Sequence, residues 1–221
     1  MTIERASACV LMFSGGRDST LAALRLARTC EHLVLATVTS DHLFGYENVR
    51  ARLRELRRYL PPETLCVRIA QPPPRGAEVL QEATCLPCHR EYVTVGVLLA
   101  RNLGIKDLAF GYVGYQNHWP EQTQDAIARL SEILRDIGIV LHVPVQDVGS
   151  RGEAIDELVR LEMSPEALEQ KCLQQQRNKE LPPDALKLEI DRWELSTQAQ
   201  LRALGSTTLE IISEAKLAEV N

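Results

Sequence analysis

The sequence contains no apolar run that approaches the roughly 20 residues of a membrane-spanning helix. Its first residues, MTIERASACV, have no apolar core of a secretion signal. We therefore expect a cytoplasmic protein without membrane contact. In that compartment six cysteines do not indicate a disulfide framework. Cys9, Cys30 and Cys66 lie in predicted strands or at a helix end and are interpreted as structural.

An excess of basic residues is also missing. The chain has 25 Lys and Arg against 30 Asp and Glu, a formal net charge of −5. Proteins that bind duplexes or tRNA usually present a basic surface, so a tRNA partner is less expected than a small molecule. One basic segment exists, RARLRELRR at 50–58, and we interpret it as the solvated face of an amphipathic helix.

Apolar runs alternate with helical patterns in the first two thirds of the chain. This alternation predicts an α/β fold, a parallel five-stranded Rossmann-like sheet covered on both faces and spanning residues 1–148. The strands are predicted over 9–13, 32–39, 64–69, 107–113 and 139–143, and the helices over 18–29, 47–60, 91–103 and 122–137. Residues 149–221 are predicted to form a helical C-terminal region packed on this domain, with helices over 152–161, 164–176, 184–204 and 207–220.

Apolar residues of the third C-terminal helix, among them Leu186, Ile190, Trp193 and Leu201, either cover the sheet or form the face of a homodimer.

Two common nucleotide-binding motifs are absent, GxGxxG and GxxxxGK followed by Ser or Thr. SGGRDS at 14–19, however, lies where the first predicted strand becomes the first helix, and ligands of parallel sheets bind beyond the carboxyl ends of strands. Adjacent glycines let the backbone approach an anion, the helix N-terminus offers unpaired N–H groups, and Arg17 adds a donor. Asp18 would repel phosphate, so it caps the helix or holds Mg²⁺. The alternative is a tight turn with a Ser or Asp cap.

The SGGxDS pattern resembles the signature of the PP-loop ATP pyrophosphatase superfamily, also described as adenine nucleotide alpha hydrolase-like. The resemblance implies cleavage of ATP to AMP and pyrophosphate, with Mg²⁺, and transfer of AMP to a substrate oxygen. It also implies that the loop holds the pyrophosphate. The matching positions are Ser14, Gly15, Gly16, Asp18 and Ser19.

The same resemblance extends to the ends of two other strands. Gly111 matches the glycine that ends the fourth strand near the nucleotide. Thr37 and Val38 lie where backbone groups usually read the adenine edge. Asp18 and Ser19 are expected to act in catalysis as well as in ATP binding.

A long polar and aromatic segment, GYVGYQNHWPE at 111–121, follows the fourth strand. Its Trp-Pro-Glu ending is similar to a segment of the 7-cyano-7-deazaguanine synthases of queuosine biosynthesis. This resemblance implies that Tyr115, Trp119 and Glu121 contact a heterocyclic substrate, whose activated oxygen is displaced by ammonia. It also implies that Arg90 is catalytic and faces pyrophosphate or a substrate carboxylate. The alternative is a packed surface loop. That family has a C-terminal four-cysteine zinc site, which Cys172 alone does not reproduce.

A Cys-Leu-Pro-Cys segment, Cys85 to Cys88, precedes the third helix, and Cys172 follows far downstream. This triplet resembles that of sulfur-transferring PP-loop enzymes of tRNA thiolation. The resemblance implies that the three cysteines hold a [4Fe–4S] cluster or act as persulfide and resolving thiols. Zn²⁺, with His89 or water as a further ligand, is another reading of the spacing. The alternative is that the three thiols never meet.

Three functions follow from these patterns. The first is an adenylating, AMP-forming enzyme that activates a small heterocycle for nitrogen transfer, similar to the deazaguanine synthases. The second is a PP-loop sulfurtransferase that uses Cys85, Cys88 and Cys172 on a nucleobase or small molecule and needs a sulfur donor. The third is a regulatory protein that senses adenine nucleotide without turnover.

Overall fold

The computed structural model describes residues 6–71, 84–172, 179–205 and 207–220. The strands are β1 (Ala6–Met12), β2 (Cys30–Thr39), β3 (Leu43–Phe44), β4 (Leu65–Ala70), β5 (Asp107–Phe110), β6 (Val140–His142), β7 (Lys171–Cys172) and β8 (Ile211–Lys216). The helices are α1 (Arg17–Leu26), α2 (Tyr46–Leu56), α3 (Leu86–Asn102), α4 (Gln124–Asp136), α5 (Arg151–Arg160) and α6 (Pro183–Arg202). None of the helices in these ranges is long and apolar enough to cross a membrane.

Six strands form the main sheet in the order β6-β5-β1-β2-β4-β8. All neighbouring pairs are parallel except β4 and β8, which are antiparallel. The predicted α/β class and the mostly parallel sheet are confirmed, whereas the predicted count of five strands is wrong because β8 adds a sixth. The chain leaves β1 towards β2 on one side and returns to its other side with β5, so the strand order reverses at β1. Such a reversal opens a crevice at the carboxyl ends of the strands.

The two faces of the sheet are buried under different helices. Alternate residues of β1 point to opposite faces, so Val10 and Met12 join one apolar cluster while Cys9, Leu11 and Phe13 join the other. The first cluster contains residues of α3, α4 and α6, and the second contains residues of α1, α2 and α5. The predicted apolar residues of α6 pack in the first cluster and therefore cover the sheet: Leu186, Ile190, Trp193 and Leu201. A homodimer stays a prediction.

The C-terminal region differs from the predicted set of helices. The helices predicted over 152–161 and 184–204 are present as α5 and α6, but the helix predicted over 207–220 is wrong because β8 pairs with β4 there. The helix predicted over 164–176 is also wrong in its described part, where β7 pairs with β3; residues 173–178 lie outside the described ranges. The predicted division at residue 148 stays a prediction, although β8 belongs to the main sheet.

The basic segment of α2 is only partly a solvated face. Arg54, Arg57 and Arg58 are exposed as expected, but the Arg52 side chain is fully buried. Its guanidinium lies against the SGGRDS loop, because Arg52 Nε donates a hydrogen bond of 3.4 Å to the carbonyl oxygen of Gly15.

Candidate active site at the carboxyl edge of the sheet

The SGGRDS loop connects β1 to α1 at the strand reversal. Gly15 has a φ of +82°, in the left-handed region that favours glycine, and a Cβ there would lie 2.8 Å from the carbonyl oxygen of Leu168. Gly111 follows β5, and a Cβ there would lie 2.8 Å from the backbone nitrogen of Ser19. Both glycines therefore permit a backbone approach that no other residue allows, and they bring the end of β5 against the start of α1.

The serine hydroxyls of the loop hold its backbone in place. The N–H of Gly16 donates to Ser14 Oγ at 3.2 Å, and the hydroxyls of Ser14 and Ser19 lie 3.1 Å apart. Gly16 precedes the first turn of α1 in extended conformation, and α1 has no side-chain N-cap. A helix N-terminus without a side-chain cap suits an anion.

Asp18 is held by two donors from the segment that follows β5. Tyr115 donates its hydroxyl to Asp18 Oδ1 at 2.6 Å, and Gln116 Nε2 donates to Oδ2 at 3.2 Å. Burial raises the pKa of Asp18, while the hydrogen bond from Tyr115 and the charge of Arg17 oppose the rise. A carboxylate that burial makes costly is stabilised by a nearby cation.

A cavity of about 590 Å³, the loop cavity, opens in front of this segment. Three basic side chains line it: Arg17, Arg151 and Lys171. Arg151 begins α5 and lowers the pKa of Asp18 by its charge. Sequence analysis missed Arg151 because its only local signal is the preceding N-cap Ser150. The remaining lining includes Ser14, Gly16, Asp18, Ser19, Gly111, Tyr115, Trp119 and Glu169.

A second cavity of about 430 Å³, the thiol cavity, is lined by Cys85, Cys88 and Cys172. Two of these cysteines come from the start of α3 and the third from β7, so the fold brings the distant triplet to one place. Burial, together with smaller contributions from the nearby acidic groups Glu121, Cys88 and Cys172, raises the pKa of the Cys85 thiol to about 12. Cys88 and Cys172 are therefore near enough to Cys85 to influence it electrostatically.

The arrangement discriminates between kinds of metal centre. Among the described residues, no three His, Cys, Asp or Glu side chains lie close enough together to hold a single metal ion, and a Zn²⁺ site stays a prediction. Thiolates that bind an iron–sulfur cluster attach to different iron atoms. They need to line one cavity rather than converge on a point, and the three cysteines fulfil that condition.

Trp119 and Glu121 also line the thiol cavity. The Oε2 atom of Glu121 is buried without a hydrogen-bond partner in the described ranges, and burial raises the pKa of this carboxyl group. His89 lines the same cavity, with Nε2 hydrogen-bonded to the hydroxyl of Tyr112. Burial lowers the pKa of His89 to about 3, so its ring is neutral.

The two cavities adjoin one another. Residues common to both linings are Ser14, Tyr92, Gln116, Trp119, Gln122 and Glu169. At the end of β2, Val38 lines the thiol cavity, and Thr37 donates its hydroxyl to the carbonyl oxygen of Phe13 at 3.0 Å. The predicted ATP positions and the predicted thiols therefore lie at one edge of the sheet.

Arg90, a predicted site residue, lies outside both the loop cavity and the thiol cavity. Its guanidinium lines a different cavity, of about 780 Å³, and donates to Glu91 Oε1 at 3.2 and 3.0 Å. Two residues along a helix correspond to a rotation of about 200°. Because Cys88 faces the thiol cavity, Arg90 faces away from it.

The sequence matches no protein-family model and no curated protein. Among solved structures, the chain is similar to a 4-thiouridine synthetase in complex with RNA and bound ATP, at 16% identity and a TM-score of 0.54. That alignment covers 94% of this chain and 55% of the other, so this chain spans little more than half of that protein. It is also similar to the U34-tRNA thiolase NcsA from Methanococcus maripaludis with its [4Fe–4S] cluster, at 13% identity and a TM-score of 0.52, over 93% of this chain and 74% of the other. At these identities the similarity shows the fold alone, a Rossmann-like α/β arrangement.

Proposed function

We propose that the protein is an ATP-dependent sulfurtransferase that replaces the carbonyl oxygen of a nucleobase by sulfur. The observation that carries this proposal is the position of the cysteines. Cys85, Cys88 and Cys172 line one cavity, and that cavity adjoins the loop cavity, where the ATP phosphates would bind. A nucleotide activated in one cavity would therefore lie next to thiols in the other.

ATP would bind with its phosphates at the N-terminus of α1. The loop backbone, Ser19 and the basic side chains of Arg17 and Arg151 would bind the phosphate oxygens, and the carboxylate of Asp18 would hold Mg²⁺. The absence of a side chain at Gly111 lets the end of β5 pack against the first turn of α1, and the end of β2 at Thr37 and Val38 would contact adenine. Arg90 has no part in this proposal because it faces another cavity.

The reaction then proceeds in two displacements. The carbonyl oxygen of the base attacks the α-phosphorus, and the bond to the β-phosphate oxygen breaks, so pyrophosphate leaves with that electron pair. A sulfur nucleophile next attacks the carbon that carries AMP. The carbon–oxygen bond breaks, AMP leaves with the former carbonyl oxygen, and the base keeps sulfur. Tyr115 and Gln116 contribute by holding Asp18 in position.

The cysteines would take part in sulfur transfer by one of two routes, of which we favour the first. A [4Fe–4S] cluster would be held by Cys85, Cys88 and Cys172, and when bound it supplies an iron without a protein thiolate, where a sulfur donor can bind. In the second route the outer sulfur of a cysteine persulfide attacks the base. Another cysteine thiolate then attacks the inner sulfur, the sulfur–sulfur bond breaks so that the base keeps the outer sulfur, and an external thiol reduces the disulfide that forms. The raised pKa of Cys85 keeps its thiol protonated near neutral pH, which disfavours a free thiolate nucleophile.

A nucleobase within tRNA is the first acceptor to test. The two solved neighbours are, by name, a 4-thiouridine synthetase bound to RNA and a U34-tRNA thiolase. This shifts the preference away from the small molecule that the net charge of −5 suggests.

Nitrogen transfer to a small heterocycle is the second candidate. Trp119 and Glu121 line the thiol cavity as that reading expects. The same cavity would then hold a planar substrate beside the loop, with ammonia as the nucleophile.

One experiment separates these functions. The protein is purified without oxygen, analysed for iron, sulfide and zinc, and incubated with ATP, sulfide and either unmodified tRNA or free nucleobases. We expect iron and sulfide in the protein, AMP and pyrophosphate in solution, and a base whose mass shows exchange of oxygen for sulfur. Cys88→Ala should abolish sulfur incorporation, whereas Cys30→Ala, outside both cavities, should retain it.

Other outcomes have definite meanings. ADP and phosphate in place of AMP and pyrophosphate would contradict the loop assignment. AMP formation that depends on ammonia and yields no thiolated product would favour the second candidate. Nucleotide binding without any cleavage would favour a sensor.

A further inference from the structure

Residues 164–172, here called the strap, lie across the SGGRDS loop and are fastened by two arginines. Arg52 donates to the carbonyl oxygens of Ser164 and Glu166 at 2.9 and 2.6 Å. Arg17 Nε donates to the carbonyl oxygen of the residue between them at 2.6 Å. Since Arg17 belongs to the loop itself, the position of the strap and that of the loop are linked.

The middle of the strap places a carboxylate at the N-terminus of α1. A Cβ built on Gly16 would lie 3.2 Å from Oε2 of Glu169. Lys171 pairs with the other carboxylate oxygen of Glu169 at 2.9 Å. The negative charge of Glu169 raises the pKa of Asp18, after the larger effect of burial. A carboxylate group therefore lies where a phosphate group would bind.

The next residue of the strap, Gln170, contacts the end of β2. Gln170 Nε2 donates a hydrogen bond of 2.6 Å to the carbonyl oxygen of Val38. Gln170 lies partly buried over the strand end, and its Oε1 is buried with no hydrogen-bond partner in the described ranges. An amide that donates to this carbonyl imitates the amino group of an adenine.

We propose that the strap occupies the phosphate and adenine positions in the nucleotide-free protein and leaves them when ATP binds, an inference that rests on the proposed function. Glu169 takes the phosphate position and Gln170 takes the adenine position. The strap also ends in β7, where Cys172 pairs with Leu43 of β3. Displacement of Glu169 and Gln170 therefore moves Cys172, only two residues further, and couples ATP binding to the geometry of the thiol cavity.

The first test measures affinity for α,β-methylene ATP, which resists cleavage at the proposed position, by calorimetry on the full chain. Glu169→Gln removes a negative charge beside the phosphates and should tighten binding roughly threefold or more. Gln170→Ala removes the competitor for the Val38 carbonyl and should also tighten binding. The matched control is Glu166→Gln, the same change on an exposed strap side chain, which should leave the affinity unchanged.

Hydrogen exchange supplies an independent readout. Saturating α,β-methylene ATP should slow exchange in peptides that cover residues 14–26 and accelerate it in peptides that cover residues 164–172. A ligand that merely closes the strap over itself would slow exchange in both segments. Faster or slower exchange in residues 164–172 therefore distinguishes displacement of the strap from its closure.

Weaker or unchanged binding in both Glu169→Gln and Gln170→Ala would overturn the inference, as would slower exchange at the strap. In those cases the wild-type protein still binds the analogue, and the proposed function stands. If neither the wild-type protein nor either variant binds the analogue, the ATP assignment itself fails and the strap inference falls with it.

Discussion

Replacement of Arg52 by methionine tests whether one buried guanidinium fastens the loop to the strap. Its side chain is fully buried and donates to three backbone carbonyls, those of Gly15 at 3.4 Å, Ser164 at 2.9 Å and Glu166 at 2.6 Å. Methionine fills a similar volume but provides no donor, so these carbonyls lose a hydrogen bond without gaining water.

The magnitude follows from the two shorter bonds to carbonyl oxygens. Arg52 Nη1 also pairs with Glu55 Oε2 at 2.5 Å, but the partly exposed Glu55 carboxylate can regain water when the guanidinium is lost, so this pair adds little. A hydrogen bond to a charged donor contributes about 1.5 kcal/mol net to stability, a value that already includes the desolvation of the donor. The long bond to Gly15 adds little. We therefore expect R52M to lower the free energy of unfolding by about 3 kcal/mol.

Urea denaturation followed by circular dichroism measures this loss. R54M is the matched control because Arg54 lies on the same helix but is exposed, and it should change stability by less than about 0.5 kcal/mol. R52K should fall between the two, since an ammonium group lacks the planar fork that reaches several carbonyls at once. A loss below about 1 kcal/mol in R52M, or equal losses in R52M and R54M, would refute the reasoning.

Three further outcomes are expected. Gly111→Ala should weaken ATP binding about tenfold or more, because its Cβ would collide with the first turn of α1; calorimetry measures this. Tyr115→Phe removes a hydrogen bond that lowers the pKa of Asp18, so the acid limb of AMP formation should move to higher pH in a pH–rate profile. Burial holds the pKa of His89 at about 3, whereas the unfolded chain binds a proton near 6.5, so stability should fall by about 1.4 kcal/mol per pH unit below pH 6. The H89L/Y112F variant should lack this contribution in denaturation at each pH.

For each of these three predictions, one result would contradict the reasoning. Unchanged ATP affinity in Gly111→Ala would mean that the first turn of α1 can shift freely. A pH–rate profile that Tyr115→Phe leaves in place would separate Asp18 from the reaction. Equal pH slopes in the wild-type protein and in H89L/Y112F would mean that His89 titrates normally.

Local patterns predicted the first two thirds of the fold because each strand and helix there is an apolar segment of ordinary length bounded by turn residues. They failed at β8. Residues 211–216 have a mixed pattern that suits a helix by propensity, but the open edge of β4 supplies backbone partners that no local pattern reveals. The same holds for β7, whose pairing with β3 depends on a distant segment.

The candidate site was predictable where one short segment carries it. The position of SGGRDS between β1 and α1 was predictable because strand, glycines and helix start are contiguous, and its role in phosphate binding stays a prediction. The convergence of Cys172 with Cys85 and Cys88 depends on the course of the strap, and sequence spacing cannot supply that. The burial of Arg52 and the place of Arg151 in the loop cavity are likewise tertiary. Arg90 shows the reverse case, in which a residue close in sequence to the site is turned away by helical rotation.

The antiparallel strand β8 has a consequence for how the chain folds. Leu65 of β4 pairs with Lys216 of β8, about 150 residues later in the chain. Until β8 is synthesised, β4 presents an unpaired backbone edge, which is a template for association with other chains. Such distant pairing forms slowly because it must close a long loop. During translation, therefore, β4 keeps an open edge until β8 is made, and chaperone binding to nascent chains should end only when residues 211–216 emerge.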